Sequence, residues 1–146
     1  MSDKSKYYDW QKTLSYNARL TMVVTARGRG KTFGIRAQCI RDYIKGNTRF
    51  VEVCRHKNEL QGLQADYFGK VSKIEEFKDY VFKSEGQRAY IALKVPEGRK
   101  PEWQLLGYFV ALSEYQAIKK RTFVDVRRII FDEAIIEKLD NFHRYL

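Results

Sequence analysis

Residues Thr25-Ala26-Arg27-Gly28-Arg29-Gly30-Lys31-Thr32 follow the pattern G-x-x-x-x-G-K-[ST] at every fixed position except the first, where Thr25 replaces glycine. No other stretch constrains the fold so strongly. Glycines in such a loop let successive backbone N–H groups turn toward one anion. A helix opening at about Lys31 adds the partial positive charge of its amino end. Lys31 is then placed to reach the β- and γ-phosphates of a bound nucleotide, and the Thr32 hydroxyl to ligate Mg²⁺. Arg27 and Arg29, inside the loop, either contact phosphate or face solvent and a partner.

The flanking pattern alternates strand and helix. Leu20-Thr21-Met22-Val23-Val24 is a β-rich run expected to lead into the loop as a strand, and a helix is expected over about 31–45, stopped by Gly46-Asn47. Arg49–Cys54 reads as the next strand. Residues 58–79 carry helical spacing broken near Gly69, and a hairpin follows, with strands 80–83 and 88–93 around a turn at Ser84-Glu85-Gly86. Both prolines, Pro96 and Pro101, fall in one loop. Beyond it come an expected strand over 104–112, a short helix over 113–120 and the apolar run Arg128-Ile129-Ile130-Phe131. With no internal repeat or low-complexity linker, residues 1–146 read as one domain.

That last run ends in Asp132-Glu133. Downstream of a phosphate loop, a strand-tip Asp holds Mg²⁺ through its water shell, and the adjacent Glu orients and deprotonates the attacking water. Loop and acidic pair together predict an α/β fold of the P-loop NTPase, ASCE type. Its sheet should be mainly parallel and flanked by helices, with the antiparallel hairpin of residues 80–93 at an edge or above it.

Charge adds a partner class. The chain carries +10, and residues 1–57 hold 13 Lys/Arg against four acidic residues, whereas the other 89 hold 15 against 14. Such asymmetry suits an anionic partner near the N-terminal half, nucleotide phosphates or nucleic acid, though solvated lysines explain it equally well. Cys39 and Cys54 lack a second pair or histidines at ligand spacing, so they read as small buried hydrophobes. His56 and His143 read as surface or packing residues. No apolar run approaches the roughly 20 residues of a membrane helix, and the first 20 residues are too polar for a signal peptide; a soluble intracellular protein is expected.

The chain resembles the ATPase domain of bacteriophage DNA-packaging motors, in particular the encapsidation proteins of small short-tailed phages with protein-primed genomes. The resemblance rests on Tyr7-Tyr8-Asp9-Trp10-Gln11-Lys12, Leu14-Ser15-Tyr16, the arginine-bearing loop Ala26–Thr32, Phe50–Leu60, Leu112-Ser113 and Ile129–Glu133. It implies a terminase-like ATPase in a ring of five subunits, driving double-stranded DNA through a portal into a procapsid in the cytoplasm of the infected bacterium. ATP and Mg²⁺ would be its cofactors, with Lys31 and Glu133 catalytic, Thr32 and Asp132 on the metal, and Arg27, Gly28, Arg29, Gly30, Phe33 and Gln11 along the nucleotide. Tyr8–Gln11 resembles the stretch beside the adenine. Arg55 and Lys57 match a basic pair near the nucleotide and the subunit interface. The sequence stops about one helix past Glu133, where such a domain carries a coupling motif and an arginine finger, so a shortened chain with weak hydrolysis of its own is expected. The other readings are a different ATPase such as a helicase-like enzyme, or a non-catalytic nucleotide- or DNA-binding module.

Overall fold

In the computed structural model, which describes residues 7–23 and 30–132, helix α1 (Trp10–Ser15) opens on Asp9, whose carboxylate accepts the Lys12 N–H at 3.1 Å. The longest helix, α2 (Lys31–Gly46), lies between two left-handed residues, Gly30 (φ 67°) and Asn47 (φ 56°). The Asn47 N–H donates to the Tyr43 carbonyl at 2.7 Å and closes the last turn. Ile35, Cys39 and Tyr43 recur every fourth residue and, with Arg36, Ala37 and Ile40, form the buried stripe of α2.

Directly after Asn47 the chain enters β1 (Arg49–Cys54). Helix α3 (Leu60–Tyr67) gives way after Phe68-Gly69-Lys70 to single 3-10 turns at Val71–Lys73 and Glu75–Phe77. Then come β2 (Tyr80–Glu85), β3 (Arg88–Leu93), β4 (Gln104–Ala111), a 3-10 turn at Leu112–Glu114, helix α4 (Tyr115–Ile118) and β5 (Val126–Phe131). The β2–β3 turn is Gly86-Gln87, one step later than expected, because Gly86 alone supplies the positive φ (59°) that favoured two-residue hairpin turns need first.

The expectation of a P-loop NTPase core with a mainly parallel sheet is overturned. The described sheet has the order β2-β3-β4-β1-β5; β1 pairs parallel with β4 and β5, but β2–β3 and β3–β4 are antiparallel. It is a mixed sheet with few helices. The hairpin stands at one edge of the sheet, one of the two places expected for it, and β3 continues the ladder onto β4. The expected strand over 20–24 is also not seen: Leu20-Thr21-Met22-Val23 lie outside the sheet, Leu20 and Met22 are strongly exposed, and Val24 is not among the described residues. β-rich composition makes a strand only when cross-strand neighbours bury it.

A bulge in β4 shifts which face its residues take. Ala89 pairs with Gly107 but Tyr90 with Leu105, so one extra residue is accommodated at Leu106-Gly107. Leu106 then joins the core under α2 and α3, while Leu105 and Tyr108 pack on the opposite side. Gly107 is required there, since a Cβ would stand 2.5 Å from the Phe50 ring.

Candidate functional site

The parallel strands β4, β1 and β5 end nearly level, with Cys54 opposite Ala111 and Val53 opposite Phe131. Backbone polarity makes this pole, where α2 also begins, the usual place for ligands on parallel strands. Two ties hold α2 to β5. At the pole, the Thr32 hydroxyl donates to Asp132 Oδ2 at 2.5 Å; farther down, Arg128 Nε donates to Asp42 Oδ2 at 2.6 Å. Ten residues of helix span about 15 Å and four of strand about 13 Å, so the two ties are commensurate. Asp42 also accepts from Gln38 at 3.0 Å.

A third tie runs beneath. Arg36 Nη2 lies 2.6 Å from Glu52 Oε1 on β1, both buried, with the guanidinium 4.9 Å from the Tyr67 ring centre. A buried pair of this kind holds only while each charge keeps its partner.

Of the residues singled out from sequence, Gly30, Lys31, Thr32 and Phe33 stand in one run at the start of α2, with Phe33 exposed. Gln11 lies exposed on α1. Arg27, Gly28, Arg29 and Glu133 fall outside the described residues. Arg55, just past β1, places its guanidinium 6.0 Å from the Phe131 ring centre, next to Asp132. Lys57 points to Glu114, Nζ to Oε1 at 3.3 Å, and its backbone N–H donates to Ser113 Oγ at 2.9 Å.

Glu114 was not singled out from sequence, yet it joins three elements. Gln87 in the hairpin turn donates to it at 2.8 Å, and that hydrogen bond, with Lys57 and Arg121 behind it, holds its carboxyl below the usual range against the opposing cost of desolvation. Its available signal was position, one residue past the quoted Leu112-Ser113. Burial pushes the Cys39 thiol far up and raises that of Cys54, so both sit as inert packing residues.

Among the described residues, no helix is long and apolar enough to cross a membrane.

Solved structures similar to this chain include parts of viral DNA-packaging motors. The crystal structure of the N-terminal domain of the DNA packaging ATPase from bacteriophage phi29 superposes with a TM-score of 0.76 at 34% identity, covering 91% of this chain and 62% of that one. The phi29 genome packaging motor assembly gives 0.73 at 35% identity, covering 91% and 37%. This chain is a member of the Podovirus DNA encapsidation protein (Gp16) family, whose model matches residues 2–146. DNA packaging proteins of Bacillus phages PZA and phi29 are each 36% identical over 136 residues, which is 93% of this chain and 37% of theirs. The chain thus spans little more than a third of the length of these relatives.

Proposed function

We propose that this chain is the nucleotide-handling part of a phage DNA-packaging motor. The observation that carries the reading is the Thr32–Asp132 hydrogen bond, which joins residues one hundred apart at the pole where α2 begins. A hydroxyl and a carboxylate are hard oxygen donors, and they suit Mg²⁺, which takes one or two protein ligands and completes its shell with water and phosphate. Bound there, Mg²⁺ would neutralise charge on the β- and γ-phosphates of ATP.

The chain's own residues then take these roles. Arg27, Gly28, Arg29 and Gly30 would surround the phosphates, and Lys31 would reach the β- and γ-groups. Glu133, next to Asp132, orients and deprotonates the attacking water. Gln11 and Phe33 flank the nucleotide, while Arg55 and Lys57 face either the phosphates or the next subunit. In a five-membered ring docked on a portal and procapsid in the host cytoplasm, turnover would drive double-stranded DNA inward.

Thermal denaturation tests the site directly. Mg·ATP should raise the melting temperature, since ligand at a hundredfold excess over Kd adds about 2.7 kcal/mol. Lys31→Ala should abolish that rise, and an unchanged melting curve at millimolar ATP would sink the reading. Double-stranded DNA should bind with an affinity that falls steeply as salt rises. Salt-independent binding, or none at low salt, would reassign the basic surface of residues 1–57 to subunit contacts.

A further inference from the structure

Aromatic side chains from residues 7–10 lie against the beginning of α2. The Trp10 indole N–H donates to the Lys31 carbonyl at 2.8 Å, bridging twenty-one positions of sequence. Its ring fills the space above Gly34, where a Cβ would stand 2.6 Å from Trp10 Cδ1. One turn earlier, a Cβ on Gly30 would lie 3.0 Å from Tyr7 Cδ1. Tyr8 supports the indole edge-on, with ring centres 4.9 Å apart, and its own hydroxyl is fixed to Thr13 at 2.6 Å.

Both glycines of the α2 amino end are therefore covered from the α1 side, while Thr32 is directed to Asp132. Trp10 holds the backbone of the lysine itself: its hydrogen bond ends on the peptide carbonyl of Lys31, and its bulk sits three residues on. An indole N–H that is partly buried needs an acceptor, so ring and backbone are fixed relative to each other.

We infer that Trp10 is a positioning residue for Lys31 at the head of α2, acting through the Lys31 carbonyl and not by touching the base. This rests on the nucleotide reading above. A triphosphate arriving at Lys31 must register at the indole, and a base without phosphates must not.

The chain has two tryptophans, so Trp103→Phe leaves Trp10 as the sole indole emitter. In that background, Mg·ATP and inorganic tripolyphosphate should both change Trp10 emission, adenosine should not, and Lys31→Ala should remove the response. Trp10→Phe, which keeps a ring over Gly34 but loses the donor, should weaken ATP binding about fivefold, the scale of one neutral hydrogen bond. A purely structural ring would leave emission indifferent to tripolyphosphate. Equilibrium dialysis separates the failures. Bound ATP with unchanged emission overturns the positioning role alone, and so does a response to adenosine, which puts the ring on the base. No bound ATP overturns the nucleotide reading and this inference together.

Discussion

On one face of the sheet, α2 and α3 cover an aromatic core in which Phe50 stacks on Tyr67 at 4.9 Å and Phe109 meets both edge-on. On the other face, among the described residues, Val51, Tyr108 and Val110 pack with the half-buried Val53, Leu105, Ile118, Phe123 and Val126, with the Phe123 ring 5.1 Å from that of Tyr108. The thick face carries α2 and hence Lys31 and Thr32, fastened by the buried Arg36–Glu52 pair. The thin face thins further toward β5, where Ile129 is 73% exposed although its partner Val51 is buried. The proposed nucleotide site therefore hangs from the well-packed layer, and the strand leading to Asp132 joins it from the less covered side.

Neighbouring residues on β4 measure this contrast, because Phe109 and Val110 face opposite ways. Phe109→Ala should cost about 3–5 kcal/mol, and Val110→Ala about 2 kcal/mol, in denaturant unfolding. Equal losses would mean that the thin face is packed as densely as the thick one. The smallest effect is expected at the rim: Ile129→Ser should stay within about 0.5 kcal/mol. A loss of 2 kcal/mol there would show that Ile129 is covered in solution, and the comparison would have to be redrawn.

Local chemistry made much of this molecule legible. Arg49–Cys54 follows from an unbroken run of β-formers after a Gly-Asn stop, and the start of α2 follows from Gly30-Lys31-Thr32. Thr32 and Asp132 were both assigned to Mg²⁺ from sequence, and the structure brings the two side chains together by a hydrogen bond, which by itself does not test the metal role. Pairing direction was not legible, because β3 joins β4 through a bulge that no periodicity announces, and its enabling glycine is explained only by the Phe50 ring opposite. Leu20–Val23 misled because its residue types suit a strand whether or not a neighbour is there to pair. Glu114 escaped notice because its partners, Gln87 and Lys57, are assembled by three separate elements.

The matched spans of the two ties between α2 and β5 also set what movement is allowed. Sliding the helix along the strand by one residue would break both ties together, so longitudinal slip is locked. Releasing the Thr32–Asp132 tie still leaves α2 held by Arg36–Glu52 and Arg128–Asp42. If a cation displaces the Thr32–Asp132 hydrogen bond by ligating both oxygens, the clamp is re-made through the ion, and these two ties stay in place. Hydrogen exchange would report this as protection gained at the head of α2 and unchanged at its foot.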